Sequence, residues 1–221
     1  MDKRAFEGHI SEEMIEWSKE IAQRYRRTMA YYKCAIMEIE TKLNVLTEEF
    51  SLQHDRNPIN GIKSRLKSLP SIQGKLDKKG LPFTLEAIEA NLSDVAGVRV
   101  ICSFIDDVYL IADALLKQDD ITLIERKDYI QNPKQNGYRS LHLIVTVPIF
   151  LEHEKRIMKV ELQLRTIAMD FWASLEHQLR YKKDFDFTEE MGKELFHCAE
   201  MSAQLDEKMD VLRSHVEEAS E

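Results

Sequence analysis

Residues 98–104 and 160–165 each carry apolar side chains at every second position, and this pattern predicts β-strands because successive side chains of a strand point to opposite faces. The predicted strands cover residues 98–104, 121–127, 141–148 and 157–166. In the last of them, one face carries Val160, Leu162 and Leu164. The opposite face carries Glu161, Gln163 and Arg165. We expect the first face in the core and the second face towards chemistry or solvent.

Elsewhere apolar residues recur every three or four positions, which predicts helices. The predicted helices cover residues 6–27, 29–52, 59–80, 84–91, 106–117, 167–183 and 188–219. Pro70 must kink the third helix or divide it, because proline lacks a backbone N–H donor. We expect the helix over 167–183 to be buried through Ala168, Phe171, Trp172, Leu175 and Leu179.

The last predicted helix carries an apolar seam with charged residues elsewhere. The seam consists of Met191, Leu195, Cys198, Met201, Leu205, Met209, Leu212 and Val216. Two interpretations stay open: the seam packs on its own domain, or it forms part of a subunit interface.

Length and composition fit one domain-sized core with helical extensions. The chain has 221 residues, of which 43% are hydrophobic, and it contains no Gly/Ser/Pro-rich linker. Three widely spaced cysteines argue against a disulfide framework or a zinc ribbon and fit a reducing compartment. The N-terminus lacks an apolar signal region, and no apolar run approaches the ~20 residues that span a bilayer. We therefore expect a cytoplasmic protein without a membrane partner.

The net charge of −8 makes broad attraction to nucleic acid or anionic membranes unfavourable, so an anionic ligand must be held locally. Residues 62–79 contain six Lys or Arg residues and a single acid, Asp77. This segment is a candidate phosphate site. The alternative is a solvated helix face.

A second candidate site is the segment from Lys134 to His142. It places two cations, a hydroxyl, an aromatic ring and an imidazole around Gly137, which suits a phosphorylated base. Asn136-Gly137 is also a strong turn signal, and a simple turn is the alternative. For Tyr138 and His142 the alternatives are a tyrosine at the edge of the core and a satisfied strand histidine.

Two carboxylates are candidates for a Mg²⁺ site. Asp94 lies at the entrance of the strand that begins at Val98, and Glu161 projects from the polar face of a later strand. If the two strands are neighbours, both carboxylates could share one ion. The alternatives are a helix or turn cap for Asp94 and an ion pair with Arg165 for Glu161. The pair His54-Asp55 is discounted as a phosphohydrolase signature, because only His9 lies upstream of it.

Several segments, in order and spacing, resemble the RelA/SpoT synthetase domain, and within that family the small alarmone synthetases of the RelP type. They are Asp94-Val95-Ala96-Gly97-Val98-Arg99-Val100, Asp128-Tyr129-Ile130, Pro133-Lys134-Gln135-Asn136-Gly137-Tyr138-Arg139-Ser140-Leu141-His142, Val160-Glu161-Leu162-Gln163-Leu164-Arg165-Thr166 and Phe171-Trp172-Ala173-Ser174-Leu175-Glu176-His177. The resemblance covers about residues 30 to 215, and several ordered motifs are stronger evidence than one.

The resemblance implies a (p)ppGpp synthetase, which transfers the β,γ-pyrophosphate of ATP to the 3′-hydroxyl of GDP or GTP and releases AMP. It implies an α/β fold with a nucleotidyltransferase-like mixed sheet flanked by helices. It also implies an N-terminal helical extension (1–52), the synthetase domain (53–183) and a C-terminal helix (184–221). A homotetramer is expected, with no requirement for nucleic acid. A hydrolase domain does not fit this length, so synthesis without hydrolysis is expected.

The resemblance also implies roles for individual residues. Asp94 would hold Mg²⁺, and Glu161 would complete the metal site, orient the 3′-hydroxyl or accept its proton. Arg65 and Arg99 would sandwich adenine, and the ATP phosphates would be held by Lys67, Ser71, Lys75 and Lys78. Tyr138 would stack on guanine, Gln163 would assist at a ribose, and the residues around the acceptor would be Lys134, Arg139, Ser140 and His142. Relatives often carry Arg at the position of Lys78, where Lys offers a point charge instead of a fork.

Two other functions stay open. One is pyrophosphate transfer to another acceptor, such as an adenine nucleotide or the 3′ end of tRNA, because acceptor choice depends on hydrogen bonds to the base edge. The other is a non-catalytic regulator that binds alarmones or RNA. The presence of both Asp94 and Glu161 argues against the second.

Overall fold

The structure is a computed structural model that describes residues 12–53, 56–180 and 186–219. Its helices are α1 (Glu12–Gln53), α2 (Leu69–Lys78), α3 (Leu85–Asn91), α4 (Ile105–Leu116), α5 (Ile167–Arg180) and α6 (Glu189–Glu218). Its strands are β1 (Ile59–Leu66), β2 (Ala96–Cys102), β3 (Thr122–Asp128), β4 (Leu141–Phe150) and β5 (Lys155–Thr166).

The strands of the described chain form one mixed sheet in the order β1-β2-β5-β4-β3. Strands β2 and β5 run parallel, with Gly97 opposite Glu161 and Arg99 opposite Gln163. The other neighbouring pairs are antiparallel. This architecture confirms the predicted mixed sheet flanked by helices, and it confirms that the strand following Asp94 is a neighbour of the strand carrying Glu161.

The core lies between one face of the sheet and the helices α1 and α4. Ile39 and Leu43 of α1 are fully buried with Val100 and Leu162 of the central strands. Because side chains alternate along a strand, the polar residues of β2 and β5 point to the opposite face. The apolar stripe of α4, which consists of Val108, Ile111, Ala112 and Leu115, is buried in this core.

The helix predicted over 59–80 is wrong in its first half. Residues Ile59–Leu66 form β1, which pairs with β2 on one side only and is therefore an edge strand. Charged residues are common on edge strands because they discourage pairing with other chains. Pro70 occupies the first turn of α2, where a missing N–H costs nothing, so it starts the helix instead of kinking it.

Two further expectations about helices are corrected. Within the described residues, α1 is one continuous helix, and Thr28, the predicted break, is buried in it. In α5 the expected buried face is wrong: Phe171, Leu175 and Leu179 are exposed, and the buried residues are Met169, Asp170, Trp172 and Ala173. Residues 6–11 and 181–183 of the predicted helices lie outside the described residues.

The seam of α6 does not pack on its own domain. Met201, Leu205 and Leu212 are each at least half exposed, and the residues of α6 that are buried are Ala199 and Asp206. The helix attaches to the domain through its other side. Trp172 Nε1 donates to the Leu195 carbonyl, and Thr166 Oγ1 donates to Asp206 Oδ2. No helix in the described part of the chain is long and apolar enough to cross a membrane.

Candidate functional site

Asp94 lies immediately before β2 and holds two lysines. Lys67, at the end of β1, and Lys75, in α2, each place Nζ 2.8 Å from Asp94 Oδ2. Burial favours the protonated carboxyl, but the hydrogen bonds and charges of the two lysines prevail and hold the Asp94 pKa below its ordinary value. Its other oxygen, Oδ1, is buried and has no hydrogen-bond partner. Asp94 is therefore ionised at neutral pH with one oxygen unengaged.

Glu161 lies on β5, beside the strand that follows Asp94. Gln163 Nε2 donates to Glu161 Oε2 over 2.9 Å, so the ion pair with Arg165 considered from the sequence is absent. Burial, followed by the negative charge of Asp94, raises the Glu161 pKa above its ordinary value. The two carboxylates thus lie close enough to repel each other, and a cation between them would relieve that repulsion.

A cavity of about 120 Å³ opens beside Glu161. It is lined by Lys63, Ser64, Arg65, Gly97, Val98, Arg99, Glu161 and Gln163. The structure therefore brings together Arg65, Arg99, Glu161 and Gln163, four of the residues that the resemblance implies for the site. The Nε atom of Arg99 is buried without a hydrogen-bond partner, so it can still donate to a ligand.

Helix α2 extends the positive surface away from Asp94. Ser71 is exposed in its first turn and lies 2.9 Å from the Ser68 hydroxyl. Lys78 is exposed in its last turn, three residues beyond Lys75, and makes no contact with the other described site residues. Of these α2 residues, Lys75 therefore contacts the carboxylate of Asp94, whereas Ser71 and Lys78 do not.

The β3–β4 loop, residues 129–140, supplies an aromatic group on the other side of Glu161. Lys134 Nζ lies over the rings of Tyr129 and Tyr138, at 4.5 and 4.7 Å from their centroids. The Tyr138 hydroxyl accepts from Arg165 over 2.6 Å and lies 2.8 Å from His142 Nε2. Since Arg165 can only donate, the hydroxyl proton is free to go to His142 Nε2. The other nitrogen, Nδ1, lies 3.8 Å from Glu161 Oε1.

His142 is neutral at pH 7. Burial, and then the positive charges of Arg165, Lys134 and Lys127, lower its pKa to about 3. A neutral imidazole can bridge Tyr138 and the Glu161 side of the site without adding charge.

Two residues of the predicted acceptor set point elsewhere. Ser140 is fully buried, and its hydroxyl donates to the Leu164 carbonyl, so it ties the loop to β5 and cannot touch a ligand in this arrangement. Arg139 NH2 donates to Glu200 of α6 over 3.1 Å. The loop thus directs one charged group, Lys134, to the site and another, Arg139, to α6. Neither the alternation of apolar residues nor the turn signal could have indicated this division.

Gly137 fixes the loop against α6. Its φ of 84° lies in the left-handed region, and an added Cβ would lie 2.5 Å from the Ala199 Cβ. We expect Gly137→Ala to lower the free energy of unfolding by about 2–4 kcal/mol, because strained backbone and overpacking add. Urea unfolding measures this difference.

Gly74→Ala is the matched control for Gly137→Ala. Gly74 lies within α2, has no atom within 4 Å of an added Cβ and has no positive φ. Alanine there should stabilise the helix by up to about 1 kcal/mol. If Gly137→Ala and Gly74→Ala had the same free energy of unfolding, the close contact between the loop and α6 would be refuted.

Residues that the sequence did not single out complete the site. Asp170, in the first turn of α5, contacts Arg99, Arg165 and Lys63. Tyr129 packs edge-on against His142, with ring centroids 5.2 Å apart. Arg165, which the sequence placed on the polar face of β5 with Glu161, pairs with Asp170. Asp170 could not have been found from the sequence, because its role depends on where α5 lies.

Comparison with known proteins gives consistent matches. Residues 64–186 match the family model described as the region found in RelA / SpoT proteins. The chain is 43% identical over 199 residues to GTP pyrophosphokinase YwaC of Bacillus subtilis, which covers 90% of this chain and 95% of YwaC. It is also similar to two structures of small alarmone synthetase 1 from Bacillus subtilis. The structure bound to its product pppGpp has a TM-score of 0.81 at 34% identity and covers 88% of this chain and 98% of that one. The structure bound to AMPCPP has a TM-score of 0.75 at 32% identity and covers 89% and 99%.

Proposed function

Because this chain belongs to the RelA/SpoT family, we propose that it is a GTP pyrophosphokinase that transfers the β,γ-pyrophosphate of ATP to the 3′-hydroxyl of GDP or GTP. The product is ppGpp or pppGpp, and AMP leaves. The 3′ oxygen forms a bond to the β-phosphorus, and the bond from that phosphorus to the oxygen of the α-phosphate breaks. The hydroxyl proton passes to a base.

The observation that carries this function is the position of Glu161 between two sets of nucleotide-binding groups. On one side lie Arg65 and Arg99 in the cavity, and on the other lie His142 and the β3–β4 loop with Tyr138. A carboxylate in this position can accept the proton of a ribose hydroxyl held between donor and acceptor. Its raised pKa makes it a better proton acceptor than an exposed glutamate.

The donor side fits ATP. Planar guanidinium groups such as those of Arg65 and Arg99 stack on bases, and Lys67 and Lys75 contact the Asp94 carboxylate where phosphates would lie. Ser71, exposed in the first turn of α2, would add a hydroxyl to this phosphate surface. AMPCPP, which a relative binds, has the adenine, ribose and three phosphates of ATP. Lys78 would extend this phosphate surface from the end of α2.

The acceptor side fits a guanosine nucleotide. Tyr138 offers a ring for stacking, and Lys134 offers an exposed ammonium group for phosphate. Gln163 borders the cavity, where it would contact a ribose. Arg139 would bind the acceptor by leaving Glu200 and pairing with a phosphate instead. The role of Ser140 would be to hold the loop against β5.

We further propose that Asp94 and Glu161 hold Mg²⁺. The unpartnered Oδ1 of Asp94 fits a cation, and so does the raised pKa of Glu161, which is due first to burial and then to the negative charge of Asp94. Within the described residues no group of three or more acidic, His or Cys side chains could hold a metal, so phosphate and water oxygens would complete the shell, as Mg²⁺ commonly requires. Such an ion neutralises the charge that develops on the transferred phosphates.

Transfer of label tests this function. Purified protein is incubated with Mg²⁺, ATP labelled at the γ-phosphate, and GDP, GTP, GMP, ADP or no acceptor, and the products are separated by chromatography. We expect label in ppGpp with GDP and in pppGpp with GTP. Label that moves only to an adenine acceptor, or no transfer, would contradict the proposal.

We also propose a cytoplasmic homotetramer. The described cysteines, Cys34, Cys102 and Cys198, are free thiols, which suits a reducing compartment. Two exposed apolar stripes are available for subunit contact: the α6 seam, and Ile167, Phe171, Leu175 and Leu179 of α5. Exposed apolar stripes of this size commonly mark protein interfaces.

Light scattering after size exclusion tests the assembly. We expect a mass of four chains of 25.9 kDa for the wild type and a smaller species for Phe171→Glu, because a charge would be buried at the interface. Phe150→Glu is the matched control, since Phe150 is 71% exposed outside both stripes, and it should stay tetrameric. A monomeric wild type would refute the assembly.

A further inference from the structure

Asp170 is the shared acceptor of three cations from three adjacent strands. Its Oδ1 accepts from Arg99 NH1 over 3.0 Å and from Arg165 NH1 over 3.2 Å, and its Oδ2 accepts from Lys63 Nζ over 3.3 Å. The Asp170 side chain is only 9% exposed. No function proposed above uses this carboxylate, although a buried charge with three partners must affect the position of each.

The three cations would repel one another without Asp170. Lys63 and Arg99 are directly opposite on β1 and β2, and like charges in that position destabilise a sheet. Burial and the neighbouring charge of Arg165 lower the pKa of Arg99, and Asp170 opposes that effect. The carboxylate therefore holds Arg99 and Arg165 side by side in a geometry that they would not otherwise share.

One branch from Asp170 leads to the donor side. Arg99 and Lys63 line the cavity next to Arg65, and Arg99 is 29% exposed with its Nε unpartnered. Its NH1 is committed to Asp170, so the plane of the guanidinium is fixed while the rest of the group faces the cavity. A guanidinium with a fixed plane is prepared to stack on a base.

The other branch leads to the acceptor side. Arg165 is 4% exposed and cannot itself touch a nucleotide, but its NH2 donates to the Tyr138 hydroxyl over 2.6 Å and to Gln163 Oε1 over 3.0 Å. Gln163 in turn donates to Glu161. Tyr138, Gln163 and Glu161 are thus oriented by a single arginine, which is itself oriented by Asp170.

We propose that Asp170 is a positioning residue for both nucleotides, acting on the ATP side through Arg99 and on the acceptor side through Arg165. The proposal rests on the pyrophosphokinase function proposed above. It predicts that one carboxylate outside the cavity affects the binding of two substrates that occupy different pockets. A residue that merely stabilised the fold would leave both KM values unchanged in the folded fraction.

The test is the kinetics of Asp170→Asn with ATP and GDP varied separately. We expect the KM for ATP and the KM for GDP each to rise about tenfold, since each depends on a charge-assisted hydrogen bond made by Asp170. Arg165→Lys keeps the charge beside Asp170 but cannot reach Tyr138 and Gln163 together. It should raise only the KM for GDP and leave the KM for ATP within about twofold.

A double-mutant cycle separates action through Arg165 from an independent effect. In Asp170→Asn/Arg165→Lys, the KM for GDP should be no higher than in the worse single variant, because both changes break one chain of contacts. The KM for ATP should equal that of Asp170→Asn alone. Additive effects on the KM for GDP would overturn the assignment.

Asp107→Asn is the matched control. Asp107 is 1% exposed and pairs with Arg56 over 2.8 Å at the start of α4, outside the site. It should lower the melting temperature and leave both KM values unchanged. If Asp170→Asn behaves in the same way, Asp170 is structural and the proposal fails.

Two further outcomes are informative. If Asp170→Asn does not fold, Asp170→Glu keeps the charge and displaces it by one methylene, and both KM values should rise; unchanged values would refute positioning. If the wild type makes no ppGpp, the proposed function and this inference both fail. A fully active wild type with an unaffected Asp170→Asn variant refutes the inference alone.

Discussion

Replacement of Glu161 by glutamine should lower kcat about a thousandfold, which is within the range that a general base contributes. Glutamine has nearly the same shape and can still contact Gln163, but it cannot accept the proton of the 3′-hydroxyl. The cavity residues Arg65 and Arg99 and the stacking group Tyr138 remain in place. At saturating Mg²⁺, which compensates for the weaker cation site, we expect the KM values for ATP and GDP to change by less than about threefold, since a loss confined to the transition state leaves binding intact.

Steady-state rates and nucleotide binding by calorimetry measure this separation. Glu86→Gln is the matched control, because it removes one exposed carboxylate that pairs with Arg24 far from the cavity, and its kcat should equal that of the wild type. The alternative of a regulator that binds without catalysis predicts no turnover to lose. Unchanged transfer of label by Glu161→Gln would reject the role of Glu161 as base.

The central part of the fold could be predicted from the sequence because its pattern is strong. Strands β2 and β5 alternate between a buried apolar face and a face with polar residues, and α4 has one apolar stripe, so period alone identifies them. β1 could not be identified in this way. As an edge strand it is mostly exposed, and its lysine and arginine residues read equally well as a basic helix.

For α5, the sequence predicted the helix but not which of its faces is buried. Phe171, Leu175 and Leu179 recur every four residues and were expected in the core, yet they form an exposed stripe. The buried residues of α5 include Asp170, which no hydrophobic pattern would place inside. When a chain also has apolar faces for a partner subunit, periodicity cannot distinguish the two surfaces.

The motifs indicated the carboxylates and most of the cations of the candidate site, but not which of these groups contact one another. Asp94 and Glu161 are brought together because β2 and β5 are parallel neighbours, a fact of topology rather than of local sequence. The contact of Arg139 with Glu200 could not be predicted, since the two residues lie 61 positions apart in the sequence. Long-range partners of this kind decide which cations of a basic segment are free to bind.

Replacement of Asp94 by asparagine should lower kcat about a thousandfold, comparable to the loss of a group that stabilises developing charge. The variant should nevertheless bind ATP without metal several times more tightly than the wild type does. The reason is competition: in the wild type, Lys67 and Lys75 are both held by the Asp94 carboxylate at 2.8 Å, and a triphosphate must displace it. Asparagine releases both ammonium groups for phosphate, whereas it weakens the cation site that we propose Asp94 forms with Glu161.

Calorimetric titration of ATP in the presence of a chelator, followed by rates over a range of Mg²⁺ concentrations, tests both parts of the Asp94 prediction. Raised Mg²⁺ should recover part of the lost rate, because Glu161 still offers one carboxylate ligand. Asp120→Asn is the matched control, since Asp120 holds Lys42 at 2.7 Å outside the site and should change neither ATP affinity nor rate. If Asp94→Asn instead weakens ATP binding, Asp94 serves to position Lys67 and Lys75 for phosphate. In that case the carboxylate acts through the lysines, and its assignment to the metal is wrong.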